Sequence, residues 1–232
     1  MPANLFISIL IPTYNEVENI ADILKNTIRV LDGVSINYEI LVIDDASLDN
    51  TALIAEEALG QCGRVIRRIA QRRSLSESVL EGIKEAKGDA IVVMDADGSH
   101  PPELIPLFIQ ELNRGYDLVV ASRYVKGAGV KDFPFFRQLI SRFACLAGRA
   151  VTDIKDNTSG FFCLKKSTLE NVFLMPRGFK IGLEVFVKAK FLRFKEIPYI
   201  FINRKKGKSK LKPKQIIQYI FQVFSLLKYK KC

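Results

Sequence analysis

Two aspartates, Asp95 and Asp97, are separated by a single residue and directly follow the apolar run AIVVM at 90–94. Side chains two positions apart in extended backbone point the same way, so both carboxylates face a space suited to one cation. Hard divalent ions prefer carboxylate oxygens, and Mg²⁺ takes one or two of them while sharing its remaining positions with water and substrate phosphates. The pair therefore predicts a site for Mg²⁺ or Mn²⁺ that binds together with a nucleotide diphosphate, with Ser99 as a further ligand, directly or through water.

The only histidine of the chain, His100, follows this pair. A histidine beside such a site could act as a base or as a metal ligand. A packed or hydrogen-bonded loop residue is the commoner case, and we expect that structural role here. Pro101 and Pro102 then begin the next helix, where a missing N–H costs nothing.

The elements that must position these residues are short apolar strands alternating with helices. Runs rich in Ile, Val and Leu predict strands at 5–11, 38–44, 64–70, 90–94 and 117–121. Apolar residues at helical spacing predict helices within 17–31 and 75–83 between them. Consecutive apolar residues indicate strands buried on both faces, as in parallel sheets. The prediction is an α/β fold with a mostly parallel central sheet and flanking helices.

Polar clusters follow three of the predicted strands. PTYNE follows the first strand, DDASLDNT the second and DADGSHPPE the fourth. Such residues also occur in ordinary loops and at helix N-termini. In open α/β sheets, however, ligands bind beyond the carboxyl ends of the strands. We therefore expect the three clusters to meet at one edge of the sheet and to form the site.

The second half of the chain is less regular. We predict a helix at 132–151, a turn and strand at 157–166, a helix at 178–191, a strand leading into a basic loop at 195–214, and a helix at 215–231. No run of about 18 apolar residues is present, so none of these helices is expected to span a bilayer. The first and last of them combine apolar residues with Lys and Arg, which is typical of helices that lie in a membrane interface. Peripheral attachment to a membrane surface is the expectation.

Charge is divided unevenly along the chain. Residues 1–116 carry 10 Lys and Arg against 18 Asp and Glu, whereas residues 117–232 carry 25 against 7, and the whole chain has a net charge of +10. The basic end of the chain predicts a polyanionic partner, which could be an anionic membrane, a phosphorylated ligand or nucleic acid. The alternative is that these basic residues form an ordinary solvated surface. We expect no nucleic acid, because the tail interleaves aliphatic residues instead of stacking aromatics. Four cysteines at unrelated spacings predict neither a zinc site nor disulfides and favour a reducing, cytoplasmic setting.

Seven motifs occur in order along the chain: IPTYNE, VIDDASLDNT, GDAIVVMDADGSHPPE, GYDLVVASRYV, FFRQLISR, DNTSGF and NRKKGKSKL. In order and spacing the set resembles family 2 glycosyltransferases of the GT-A fold, and most closely the polyprenyl-phosphate branch similar to dolichol-phosphate mannose synthases. The resemblance covers about residues 5–215. It implies a Rossmann-like GT-A catalytic domain at 1–212, followed by a basic amphipathic helix at 213–232 in the membrane interface.

The resemblance also implies roles for individual residues. The donor base and ribose would be held by Pro12, Tyr14, Glu16 and Asp45, with Asp44 nearby. The metal and diphosphate would be held by Asp95, Asp97 and Ser99. The acceptor phosphate would be held by Arg123, Arg137, Ser141 and Arg204, with Asp97 and Arg123 as the catalytic residues. Ser74 and Ser76 stand where the family commonly has glycine, and Gly98 where a larger apolar residue is usual.

The implied reaction is metal-dependent, inverting transfer of a hexose, with mannose from GDP-mannose favoured, to the phosphate of a polyprenyl (dolichyl) phosphate. This acceptor is already ionised near neutral pH, so no base is required. The implied location is the cytoplasmic face of a membrane, with a membrane subunit as a further partner, because relatives often carry additional membrane helices.

Two other enzyme classes remain open from the sequence. A glycosyltransferase of the same fold could use a UDP-sugar donor, or a saccharide or protein hydroxyl as acceptor. A hydroxyl acceptor would need a carboxylate base, for which Glu184 is the candidate. A nucleotidyltransferase also uses paired aspartates. It is the weaker alternative, because no glycine-rich loop with a lysine follows the first strand.

Overall fold

The computed structural model describes residues 5–34, 36–69, 73–132, 134–175, 180–203 and 213–231. Its strands are β1 (Ile7–Thr13), β2 (Tyr38–Asp44), β3 (Gly63–Arg67), β4 (Ala90–Val93), β5 (Leu118–Ser122), β6 (Gly129–Lys131), β7 (Phe162–Lys165), β8 (Phe194–Pro198) and β9 (Ile200–Ile202). Its α-helices are α1 (Ile20–Asp32), α2 (Thr51–Leu59), α3 (Leu75–Glu85), α4 (Ile105–Asn113), α5 (Phe135–Gly148), α6 (Ile181–Lys188) and α7 (Pro213–Lys231).

The central sheet has seven strands in the order β3-β2-β1-β4-β7-β5-β8. Strand β7 runs antiparallel to both of its neighbours, and the other pairs are parallel. The predicted mostly parallel α/β sheet is therefore confirmed. The chain proceeds outward from β1 to β3 and then returns to place β4 on the other side of β1. This reversal of strand order is where open α/β sheets bind ligands.

The apolar runs of the strands fill two cores, one on each face of the sheet. Ile9 and Val42 belong to the core that packs beneath α1, whereas their neighbours Leu10 and Ile43 belong to the core that packs beneath α3. Successive strand residues point to opposite faces, so an apolar residue is required at every position. This arrangement explains why the sequence shows continuous apolar runs and no alternation.

A two-stranded parallel ribbon of β6 and β9 lies outside the main sheet and leads into the surface helices. Helix α5 begins four residues after β6, and α7 packs against α5 and α6 through Tyr219, Val223 and Leu226. The predicted domain boundary at residue 212 falls between described segments and stays a prediction. The helix that follows it is nevertheless joined to the catalytic unit by a small core of its own.

One face of α5 and α7 is apolar and exposed. We call it the apolar surface of α5 and α7, and its large residues are Phe135, Phe136, Leu139, Phe143, Leu146, Ile217, Ile220, Phe221 and Phe224. Within the described ranges, every helix is either too short or too polar to cross a bilayer.

Candidate functional site

The ends of β1 and β2 are joined by side chains as well as by strand pairing. Thr13 lies opposite Asp44 in the register, and its hydroxyl donates to Asp44 Oδ1 at 3.0 Å. The Ser47 hydroxyl donates to the same oxygen at 2.6 Å, and the Ser47 N–H donates to Oδ2 at 2.9 Å. Asp44 is thus buried in the turn after β2. It shapes the site by holding that turn together.

Asp45 is held by residues that lie between β3 and α3. The backbone N–H of Ser74 donates to Asp45 Oδ2 at 2.7 Å, and Arg68 forms an ion pair with Asp45 and another with Glu77 at 2.6 Å. The Ser74 hydroxyl caps α3 by accepting from the Glu77 N–H. Ser74 therefore has a structural reason to stand where the resembling family commonly has glycine. Arg68 was not predicted.

Tyr14 and Asp45 follow the paired ends of β1 and β2, because the Asp45 N–H donates to the carbonyl oxygen of Thr13. The guanidinium carbon of Arg73 lies 4.3 Å from the centre of the Tyr14 ring. Pro12 is buried within β1, and Glu16 accepts from the Asn19 side chain at 3.0 Å. The predicted donor residues therefore share one edge of the sheet.

Asp95 and Asp97 differ in their surroundings. Asp97 is buried, and its Oδ1 accepts from the Ser99 N–H at 3.1 Å and from the Ser99 hydroxyl at 2.5 Å. The side chain of Asp95 is 39% exposed, and within the described ranges no Lys or Arg lies at ion-pair distance from it. Ser99 therefore fixes the orientation of Asp97, and its role as a direct metal ligand stays a prediction.

The space beside Asp95 fits a cation that is completed by other ligands. Gly160 lies beside this carboxylate, since a Cβ built on it would be 3.4 Å from Asp95 Oδ2. Among the described residues, no group of three or more His, Cys, Asp and Glu side chains gathers to hold a metal. Two carboxylates alone suit Mg²⁺ or Mn²⁺ whose other positions are filled by water and phosphate oxygens.

His100 supports Asp95 from inside the protein. Its Nδ1 accepts from the backbone N–H of Asp95 at 2.8 Å, and its Nε2 lies 3.9 Å from Asp95 Oδ2. Its ring stacks on Phe161 with centroids 5.0 Å apart. Burial lowers the pKa of His100, so the neutral ring carries its proton on Nε2. The expected packed and hydrogen-bonded loop residue is confirmed.

Arg123 and Asp156 form a buried, bidentate ion pair. Arg123 Nε donates to Oδ2 at 2.7 Å and Nη2 to Oδ1 at 2.6 Å, while the backbone N–H of Arg123 donates to Oδ2 at 2.8 Å. Burial would raise the pKa of Asp156, but the guanidinium outweighs it and holds the pKa below its ordinary value. The same pairing keeps Arg123 charged. Any phosphate bound there would meet an arginine whose orientation is already set by Asp156.

A second cation, Lys180, lies at the start of α6 beside this pair. Its Nζ donates to the carbonyl oxygen of Thr158 at 2.7 Å, and Arg123 Nη2 donates to the hydroxyl of the same threonine at 2.8 Å. Burial, together with the nearby Arg123, lowers the pKa of Lys180. Neither Lys180 nor Asp156 was predicted as a site residue. Asp156 does stand out in the sequence as one of only seven acids in the basic second half.

The remaining predicted acceptor residues lie on α5. Arg137 and Ser141 are one helical turn apart and so share a face. The Tyr124 hydroxyl donates to Ser141 Oγ at 2.8 Å, and Tyr124 directly follows Arg123. The structure thus connects Arg123 to the face of α5 that carries Arg137. Arg204 lies outside the described residues.

Glu184, the base required for a hydroxyl acceptor, is engaged elsewhere. It is 3% exposed, and its Oε1 accepts from Lys188 Nζ at 2.6 Å and from the Met175 N–H at 2.7 Å. This carboxylate anchors the segment before α6. It is therefore poorly placed to take a proton from a sugar hydroxyl.

Comparison with known proteins identifies the fold and the family. A crystal structure of glucosyl-3-phosphoglycerate synthase from Mycobacterium tuberculosis, in complex with Mn²⁺, UDP-glucose and phosphoglyceric acid, superposes with a TM-score of 0.70 at 19% identity, covering 98% of this chain and 80% of that one. This similarity shows the fold, which is that of GT-A glycosyltransferases. The model for Glycosyl transferase family 2 matches residues 8–173.

Two relatives carry the same printed name, dolichol-phosphate mannosyltransferase. The one from Pyrococcus furiosus is 44% identical over 96% of this chain, and the one from Saccharomyces cerevisiae is 37% identical over 96% of it. The chain spans 64% of the length of the first relative and 87% of the second. The chain belongs to glycosyl transferase family 2, and it is a glycosyltransferase.

Proposed function

We propose that the chain transfers mannose from GDP-mannose to the phosphate of a polyprenyl phosphate, with inversion at the anomeric carbon. The observation that carries the proposal is the pairing of two opposite charge environments in one site. Asp95 and Asp97 offer carboxylates at the end of β4, and the loop that borders Asp95 holds Arg123 and Lys180. The names of the two relatives support this donor and acceptor.

The carboxylate side suits the donor. Asp95 and Asp97 would hold Mg²⁺ or Mn²⁺ against the diphosphate, and the bound ion would offset the charge that develops on the leaving nucleoside diphosphate. The mycobacterial glucosyl-3-phosphoglycerate synthase, which shares this fold, was crystallised with Mn²⁺ and a nucleotide sugar, and this supports metal dependence. Tyr14 and Asp45, at the ends of β1 and β2, would hold the nucleoside.

The basic side suits the acceptor phosphate. Arg123, whose Nε and Nη2 are bound by Asp156 and Thr158, would offer its Nη1 to the phosphate. Arg137 on α5 would bind the phosphate oxygens as well, since a free guanidinium can bind phosphate in a bidentate manner. A phosphate oxygen then attacks the anomeric carbon as the bond to the donor diphosphate breaks. The nucleophile is already ionised, so the lack of a free carboxylate base at Glu184 is no obstacle. Positioning of two anions is the main task, and it can supply about 7–11 kcal/mol.

The acceptor also implies a membrane contact. The apolar surface of α5 and α7 exposes five phenylalanines, and Lys228 and Lys230 follow on α7. We propose that this surface lies in the interface of the cytoplasmic leaflet, where basic residues are attracted by anionic lipids at about 1 kcal/mol each. In this proposal residues 213–232 attach the catalytic unit 1–212 peripherally, with or without a membrane subunit.

The test is an incubation of the purified chain with a panel of radiolabelled nucleotide sugars and farnesyl phosphate, with Mg²⁺, with Mn²⁺ or with EDTA. We expect label from GDP-mannose to enter an organic-soluble glycosyl phosphate only when a metal is present. Preference for a UDP-sugar would correct the donor. Label that appears only in water-soluble saccharides would overturn the acceptor. Transfer that requires native membranes and is not restored by protein-free anionic liposomes would indicate a further subunit.

A further inference from the structure

The segment 156–160, between α5 and β7, contacts both the basic side of the site and Asp95 within five consecutive residues. Asp156 binds Arg123, and Thr158 binds both Arg123 and Lys180. Asn157 contacts α5 and α7, and Ser159 donates to the carbonyl oxygen of Ala121 in β5. Gly160 borders Asp95 and His100. Asp156 and Thr158 also contact the Cys145 thiol on α5. Among the described side chains of the segment, Asn157 makes the hydrogen bond to α7.

Asn157 is fully buried between α5 and α7. Its Nδ2 donates to the carbonyl oxygen of Cys145 at 2.8 Å, and its Oδ1 lies 2.9 Å from the hydroxyl of Tyr219 on α7, which donates to it. The elements approach so closely that a Cβ on Gly148 would lie 2.2 Å from Asn157 Oδ1 and 2.6 Å from the Tyr219 hydroxyl. Tyr219 itself is 4% exposed. The contact is therefore a tight polar junction inside the protein.

A second contact joins α7 to the site one turn further on. Gln222 Nε2 donates to the carbonyl oxygen of Lys180 at 3.1 Å. The other amide atom, Gln222 Oε1, is buried and has no hydrogen-bond partner among the described residues. A buried acceptor without a partner destabilises a fold. The bond from Gln222 Nε2 to Lys180 is therefore the one polar contact that the described part of the structure shows for this amide group.

We propose that Tyr219 and Gln222 are positioning residues for the transfer reaction, which makes α7 part of the catalytic machinery as well as an attachment to the membrane. Tyr219 holds Asn157, and with it the carboxylate of Asp156 that orients Arg123. Gln222 holds the backbone of Lys180. The inference rests on the proposed function, because Arg123 and Lys180 matter here as ligands of the acceptor phosphate and of the charges that develop next to it.

The test uses the whole chain with farnesyl phosphate and no membrane, so that membrane attachment cannot contribute. Tyr219→Phe removes one hydroxyl, and Tyr229→Phe removes the corresponding hydroxyl from an exposed tyrosine on the same helix. We expect Tyr219→Phe to lower kcat/KM for farnesyl phosphate at least tenfold while KM for GDP-mannose changes less than twofold. Tyr229→Phe should match the wild type. A general structural defect would instead affect both substrates.

A second variant and a second readout keep the inference testable if Tyr219→Phe does not fold. Gln222→Met has nearly the same volume and removes the unpaired Oε1, so it should unfold no more easily than the wild type but lose acceptor kcat/KM. Hydrogen exchange of segment 156–160 should quicken at least tenfold in Tyr219→Phe and stay unchanged in Tyr229→Phe, whether or not transfer occurs. If the wild-type chain shows no transfer but Tyr219→Phe still shows the faster exchange, the proposed function alone is rejected. Unchanged hydrogen exchange and unchanged acceptor kinetics in Tyr219→Phe and Gln222→Met would overturn the inference.

Discussion

Asp156 and Arg123 form the most completely buried ion pair of the site, with two side-chain hydrogen bonds at 2.6 and 2.7 Å and the carboxylate wholly shielded from solvent. Removing one member of a buried pair leaves the other charge without compensation. We expect Asp156→Asn to lose about 3–5 kcal/mol in the free energy of unfolding at neutral pH. Urea denaturation of the variant and the wild type measures this directly.

The same pair predicts a pH dependence of stability. The pKa of Asp156 is lowered in the folded state, so its contribution is present above the unfolded value of about 3.9 and is lost as the pH falls through the folded pKa. The difference in unfolding free energy between the wild type and Asp156→Asn should therefore shrink from about pH 5 towards about pH 3. Asp22→Asn, on an exposed position of α1, is the control and should show no such convergence. A difference that stays constant across this range would contradict the assignment.

Arg137 should matter for the acceptor and Arg142 should not. Both arginines lie on α5, but Arg137 shares a face with Ser141 whereas Arg142 is exposed on another face. A hydrogen bond to a charged group contributes about 1.5–3 kcal/mol, so Arg137→Gln should lower kcat/KM for farnesyl phosphate about tenfold to a hundredfold. Arg142→Gln should stay within about twofold of the wild type. Equal losses in both variants would indicate a general charge effect.

His100 should influence metal affinity through Asp95. Asn at position 100 can keep the acceptor for the Asp95 N–H, because its amide oxygen takes the place of Nδ1, whereas Gln can keep only a donor near the position of Nε2. We expect His100→Gln to weaken Mn²⁺ binding in the presence of GDP by about tenfold or more, as residues that orient metal ligands commonly do. His100→Asn should weaken it less. Electron paramagnetic resonance of free Mn²⁺ provides the measurement, and the reverse order would contradict the role.

The strands that carry the site are predictable from sequence for a simple physical reason. Every residue of β1 and β4 and the last five residues of β2 are buried, so a largely apolar run ends abruptly where the polar residues of the site begin. The antiparallel direction of β7 is not predictable in this way, because an apolar run reads the same in both directions. The ribbon strands β6 and β9 are three residues each, which is too short to show a period.

The candidate site is only partly predictable. Asp95 and Asp97 are separated by a single residue in the sequence, so their shared chemistry can be predicted without a structure. Asp156 and Arg123 are 33 residues apart, and their pairing depends on β5 and the segment before β7 meeting in the fold. The sequence also does not show which side of α7 is buried, because the helix is apolar around much of its circumference and Tyr219 has no distinguishing neighbour in the sequence.

The apolar surface of α5 and α7 should bind anionic vesicles. Phe221 and Phe224 are exposed on this surface, and full burial of one such side chain contributes about 1.5–3 kcal/mol. We expect the wild type to float with liposomes that contain phosphatidylserine at low salt, and Phe221→Ser/Phe224→Ser to bind at least about tenfold more weakly. Leu192→Ser, at an exposed leucine away from these helices, is the control. A wild-type chain that stays in the soluble fraction would remove the membrane proposal.

The central claim is that Asp95 and Asp97 hold a divalent ion against the diphosphate of the donor. Its most direct measurement is an anomalous difference map from a crystal of the chain soaked with GDP-mannose and MnCl₂. We expect one manganese peak within about 2.3 Å of both carboxylates and of two diphosphate oxygens. A well-ordered nucleotide with no ion between it and these aspartates, or an ion held elsewhere, would contradict the account.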